Sequence, residues 1–212
     1  MRETIKNIIF DLGGVLYDIR YENIADTFRL YGIPNFEKIY LQAAQTEEID
    51  LFEEGKISPT QFRDFIRTLS HTYLTDQQID HAWNAILIDF PIGRLKILEK
   101  LSRKKYRLFL YSNTNEINCI EFERFVTEKY GQNIFETHFD KSYYSHTLHI
   151  KKPKPEGFIK ICEEQNLIPA ETLFIDDTER HIFGAQKAGL HTFWLHQETF
   201  ENCKIIRSLL NC

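Results

Sequence analysis

Ile5-Lys-Asn-Ile-Ile-Phe-Asp-Leu-Gly-Gly-Val-Leu16 decides the fold of this chain. Its apolar run is too dense for a half-exposed strand and too short for a helix, so it predicts a strand buried on both faces. The run delivers one carboxylate, Asp11, into a glycine turn. Two residues further on, where such a site commonly carries a second carboxylate, stands Gly13.

Working outward, four more short β-type runs are expected, none before about residue 106: Tyr106 to Tyr111, His146 to Ile150, Thr172 to Asp176 and His191 to Leu195. Helical patterns separate them. Apolar strands alternating with helices predict an α/β fold, a Rossmann-like parallel sheet flanked by helices. Asp11, Ser112 and Asp176 then fall at strand C-terminal ends, the edge where open α/β sheets bind ligands.

Between Leu16 and the next strand lies far more chain than the roughly 30 residues of one crossover. The insert reads as all helix. Ser58-Pro59 offers an N-cap with proline at N1, followed by Phe62, Phe65, Ile66 and Leu69 on one face; Thr75 with Gln78 forms a capping box before Ile79, Trp83 and Ile86. Further helical patterns run from Tyr21 to Leu30 and from Phe36 to Ala44. The expected organisation is a catalytic core of residues 1–17 and 89–212 with a helical cap of residues 18–88 over the mouth of the sheet.

Composition narrows the function classes. The 212 residues are 42% hydrophobic and 14% aromatic, enough for a sizeable core, and the formal net charge is −5. Scattered basic residues and an acidic balance argue against a nucleic-acid partner. No apolar stretch reaches the ~18 residues that suggest a membrane span, and the first residues lead into a strand, so a cytoplasmic protein is expected. Cys119, Cys162, Cys203 and Cys212 lack ligand spacing and read as free thiols.

Four separated elements occur in order: Asp11 in F-D-L-G-G-V-L, Ser112 in L-Y-S-N-T-N, Lys152 in K-K-P-K-P-E, and Asp176-Asp177 in F-I-D-D-T. These supply what phosphoryl transfer requires: an anionic nucleophile, a compact cation, hydroxyl and amide donors, and paired acids suited to Mg²⁺. Together they resemble the haloacid dehalogenase superfamily, in the subgroup with a helical cap after the first motif, and the resemblance covers essentially the whole chain. It implies that Asp11 attacks phosphorus to form an aspartyl-phosphate, and that Ser112, the Asn113 amide and Lys152 bind the phosphate. It also implies a Mg²⁺ ion held by Asp11, the Gly13 carbonyl and Asp177, with Asp176 behind them or as an additional ligand. His181, where many members carry an acid, is expected on the surface or packed against a helix. Lys151 and Lys154 read as solvated lysines.

Gly13 removes the usual general acid and base, a contribution worth about 10² to 10⁴ in rate. Esters with good leaving groups suffer least, and the motif set is similar to the bacterial α-D-glucose-1-phosphate phosphatase group. The expected activity is therefore Mg²⁺-dependent hydrolysis of a small-molecule phosphate ester, a sugar phosphate, by a monomer. The alternatives are an inactive phosphate- or protein-binding member and a 2-haloacid dehalogenase. Asp18 is read as a hinge residue with a possible acid role, and Tyr17, Glu47 and Glu53 as residues that could meet substrate.

Overall fold

The computed structural model describes residues 5–38, 47–104, 106–196 and 198–211. Five parallel strands form the sheet in the order β5-β4-β1-β6-β7: β1 Asn7–Phe10, β4 Arg107–Ser112, β5 Lys141–Tyr144, β6 Thr172–Asp176 and β7 His191–Trp194. The opening run becomes the central strand, with Ile8, Ile9 and Phe10 fully buried. Register sets Ile8 beside Leu108 and Leu173, and Ile9 beside Phe109 and Phe174.

Because successive side chains alternate across a strand, these two rows feed opposite faces. Ile8, Phe10, Leu108, Leu110, Leu173 and Ile175 pack with Leu95 and Leu98 of helix Ile92–Arg103 and with Phe122 and Val126 of helix Glu116–Tyr130. Ile9, Phe109, Tyr111 and Phe174 pack with Phe158 and Ile161 of helix Pro155–Gln165 and with Ile182 of helix Glu179–Lys187. The expected sheet with helices on both faces is what forms.

A further apolar cluster joins helices Glu22–Leu30, Glu48–Glu53, Pro59–Ser70 and Asp76–Asn84 and takes in Ile117 of helix Glu116–Tyr130. Phe28 stacks on Phe36 at 3.8 Å, Phe52 stacks on Phe62 at 4.2 Å, and Trp83 meets Phe62 edge-on at 4.6 Å. Both expected capping boxes are present, Ser58 with Gln61 and Thr75 with Gln78. Phe36 to Lys38 are helical; the rest of the pattern expected through Ala44 lies outside the described residues. Among the described residues, no helix is long and apolar enough to cross a membrane.

Two expectations change. The insert is not all helix: β2 Asp18–Ile19 pairs antiparallel with β3 Leu87–Asp89, a two-stranded ribbon where the chain leaves and rejoins the sheet. Two- and three-residue strands are too short to display a period of two. The strand expected at His146 to Ile150 is instead Lys141–Tyr144, and Ser145–Leu148 forms a helical turn ending at His149 in the left-handed region. β5 is an edge strand with partly exposed polar residues, so its apolar signal is weak and the neighbouring alternation at 146–150 imitates it.

Candidate active site

Asp11 follows β1 directly, its amide donating to the Ile175 carbonyl of β6 at 2.9 Å. The chain then turns sharply, with the Leu16 and Tyr17 amides both donating to the Leu12 carbonyl at 2.8 Å. Gly14 sits at φ +76°, and a Cβ there would stand 2.1 Å from Oδ2 of Asp177. Glycine at 14 thus brings the first turn against the acidic pair; any side chain would displace Asp177.

Lys152 is completely buried, with its Nζ 2.7 Å from Asp11 Oδ1 and 2.8 Å from Asp176 Oδ2. Its backbone is held on both sides by one side chain: Lys152 N donates to Asn113 Oδ1 at 2.8 Å, and Asn113 Nδ2 donates to the Lys152 carbonyl at 2.9 Å. The Asn113 side chain is thus occupied by the Lys152 backbone. The Ser112 hydroxyl, at the end of β4, makes only a 3.5 Å contact to the Asn113 carbonyl.

Asp176 is engaged by three partners: Lys152, the Thr178 amide at 2.7 Å from Oδ1, and His181 Nδ1 at 3.1 Å from both oxygens. Burial alone would raise its pKa, but Lys152 and His181 outweigh that and hold it below the ordinary carboxylate range. For Lys152, burial pulls downward while Asp11 and Asp176 pull upward and prevail, so it is a cation. His181 is buried on helix Glu179–Lys187, not at the surface, and it braces Asp176. Its position four residues past Asp177 was visible in the sequence; its partner was not.

Asp11 and Asp177 lie on the other side of the charge balance. Burial, then the charge of Asp176, pushes both above their ordinary value, and Lys152 recovers only part of this. Three carboxylates crowd around one ammonium, and a divalent cation would relieve the excess. The hard oxygens of Asp11, Asp177 and the Gly13 carbonyl fit Mg²⁺, whereas both oxygens of Asp176 are taken up by Lys152, the Thr178 amide and His181. Asp11, Asp176 and His181 also offer ligand atoms within 4.8 Å of one another, but in that set His181 and Asp176 bond each other and an imidazole suits Mg²⁺ poorly.

Asp11, Gly13, Ser112, Asn113, Asp177 and His181 line the floor of a cavity of about 190 Å³, with Lys152 and Asp176 fully buried outside its lining. Its roof comes from the helical layer and the ribbon: Ile24, Glu53, Trp83, Ile86 and Ile19. Asn115 and Asn118 add amides at the side, bonded to each other at 2.7 Å and from Asn118 to Asn84 at 2.8 Å. Tyr17 reaches the cavity yet is packed among Phe90, Phe122 and Phe125. Glu47 is exposed outside it. Asp18 also lies outside it, in the ribbon, bonded to Arg94 at 2.6 Å. Cys119, Cys162 and Cys203 are buried free thiols, and Cys212 is outside the described residues.

Comparison with known proteins agrees with this geometry. Residues 5–189 match the model of the haloacid dehalogenase-like hydrolase family. The chain is 32% identical over 191 residues to D-ribitol-5-phosphate phosphatase of Bacteroides thetaiotaomicron, covering 89% of this chain and 91% of that one. It is 22% identical to the phosphorylated carbohydrates phosphatase of Thermotoga maritima, over 88% of this chain and 83% of that one. Among solved structures, HAD family enzyme bt-2542 of Bacteroides thetaiotaomicron, in complex with magnesium and inorganic phosphate, superposes with a TM-score of 0.82 at 37% identity, covering 90% of this chain and 93% of that one.

Proposed function

The chain belongs to the haloacid dehalogenase-like hydrolases, and on that premise we propose that it is a Mg²⁺-dependent phosphatase of a small phosphorylated sugar or polyol. One observation carries the reading: a fully buried Lys152 bonded to Asp176 and to Asp11, the latter lining a cavity together with Ser112 and Asp177. Few structural needs would bury a lysine against acids at the ends of two adjacent strands.

In the proposed reaction an Asp11 carboxylate oxygen attacks phosphorus, and the bond from phosphorus to the substrate oxygen breaks, leaving an aspartyl-phosphate and an alkoxide that takes its proton from solvent water. Water then attacks phosphorus, restoring Asp11 and releasing inorganic phosphate. Lys152 and the Ser112 and Asn113 donors balance and orient the phosphoryl oxygens. Lys152 also holds Asp11 in line, while Asp176 and His181 hold Lys152. Mg²⁺, bound by Asp11, the Gly13 carbonyl and Asp177, supplies electrostatic stabilisation of the transferring group. Gly13 offers no side chain to protonate the leaving alkoxide.

The proposed division assigns residues 1–17 and 89–212 to the catalytic core and 18–88 to a lid. An apolar cluster drawn almost wholly from the helical layer, with Ile117 the one described residue from the core, and the ribbon at both crossings support it. A cytoplasmic monomer acting on a diffusible ester completes the proposal. The relative named for D-ribitol 5-phosphate widens the substrate class beyond the sugar 1-phosphates that the leaving-group argument favours.

The test is phosphate release from a panel containing D-ribitol 5-phosphate, α-D-glucose 1-phosphate and other sugar phosphates, with and without Mg²⁺, beside Asp11→Asn. Metal-dependent turnover abolished by the substitution is the expected result. No turnover on any ester would favour a binding protein, and halide release from 2-haloacids without metal would indicate dehalogenation.

A further inference from the structure

The segment that carries Lys152 is gripped from outside by one short helix. Lys151 Nζ donates to Asp50 at 2.6 Å and also to Glu53. Lys154 Nζ donates to Glu54, and His149 Nδ1 donates to the Glu54 carbonyl at 2.9 Å. Close approach is built into the backbone as well: Gly55 has φ +64°, and a Cβ there would lie 2.1 Å from the His146 carbonyl oxygen.

Helix Glu48–Glu53 is divided between two layers. Ile49 and Phe52 join the apolar cluster of the helical layer, while Asp50 and Glu53 face the lysine of the sheet domain. At six residues the helix has little stability of its own, so its contacts set its position. Lys151 and Lys152 are adjacent in the chain but serve opposite sides. One points to the helical layer, the other to Asp11. Lys151 has a side chain only 12% exposed and bridges two acids, unlike an ordinary surface lysine. Glu53 also lines the substrate cavity, so the partner of Lys151 stands where a ligand would be felt.

We propose that Lys151 is a positioning residue: by pairing with Asp50 and Glu53 it couples the seating of the helical layer to the placement of Lys152 against Asp11. The inference rests on Lys152 acting in the proposed phosphatase site. Displacing a catalytic cation by about 1 Å costs on the order of 10²-fold in rate, so a partial release of this segment is measurable.

The experiment compares Lys151→Met, Lys151→Arg, Asp50→Asn and the Asp50→Asn/Lys151→Met double variant, with Lys152→Met as reference. The probes are D-ribitol 5-phosphate and p-nitrophenyl phosphate at saturating Mg²⁺, with hydrogen exchange measured on the same proteins. Lys151→Met is expected to lower kcat by about tenfold or more while KM moves by less than about threefold, and Lys151→Arg to recover most of it. In the Asp50→Asn background the Lys151 substitution should cost less than in the wild type. Exchange should quicken in residues 48–55 and 149–154 and stay unchanged in β1 and β6. Wild-type kcat in Lys151→Met beside an inactive Lys152→Met overturns the coupling alone, as does exchange that quickens throughout the fold. Wild-type turnover in Lys152→Met overturns the active-site reading, and this inference with it.

Discussion

Gly14→Ala tests the assembly of the metal site through a contact that no neighbouring residue makes. The new Cβ would lie 2.1 Å from Asp177 Oδ2 and 2.8 Å from its Cγ. A tolerable carbon–oxygen contact is about 3.3 Å, so the carboxylate must retreat by about 1.2 Å. Mg²⁺ holds oxygen ligands in a narrow range near about 2.0–2.1 Å, which makes that retreat a lost ligand. Holding alanine at φ +76° adds about 1–2 kcal/mol of backbone strain. The expected outcome is a metal affinity reduced by at least about 10- to 100-fold, the scale at which even outer partners of metal ligands matter, with a stability loss of about 1–3 kcal/mol. Titration calorimetry with Mg²⁺ and metal-free thermal unfolding measure the two separately. Gly13→Ala is the control, since its Cβ meets only the Ile19 side chain, at 3.0 Å. If Gly14→Ala loses stability yet binds Mg²⁺ within about twofold of the wild type, Asp177 is not a ligand and the reasoning fails.

Three further outcomes follow from the same structure. With no acid at Gly13, log(kcat/KM) across aryl and alkyl phosphates should fall steeply as leaving-group pKa rises; a flat dependence would show that another residue donates the proton. Phe62→Ala removes a fully buried ring stacked on Phe52 and touching Trp83, and urea denaturation should show a loss of about 3–5 kcal/mol, whereas a loss below about 1 kcal/mol would mean the helical layer has no packed core. Burial pushes the Cys162 thiol up to about 11 and raises Cys119 too, so the native protein should react with a disulfide reagent at both positions far more slowly than the unfolded chain. Equal rates would contradict their burial.

Much of this architecture is written in residues that act locally. Buried strands leave dense apolar runs, so β1, β4 and β6 and the chemistry at their ends could be read directly, as could the Ser58 and Thr75 caps. What escaped depends on distant partners or on weak local patterning. β5, half exposed at the sheet edge, has no apolar run, and the ribbon strands are too short for periodicity. Among three neighbouring lysines, sequence cannot say which way each points: Lys152 turns inward to two acids, while Lys151 and Lys154, read as solvated, pair with acids of the helical layer. His181 bonds Asp176, a partner that no spacing rule reveals. The reason for glycine at 14 lies in Asp177, far along the chain.

The central claim is that Asp11 carries the phosphoryl group. Acid quench during steady turnover with Mg²⁺, followed by proteolysis and mass spectrometry, reads this directly because an acyl phosphate survives in acid. The account predicts a phosphorylated peptide containing Asp11 in the wild type, absent without metal and absent in Asp11→Asn. Sustained turnover by Asp11→Asn, or phosphate found on another residue, would contradict it.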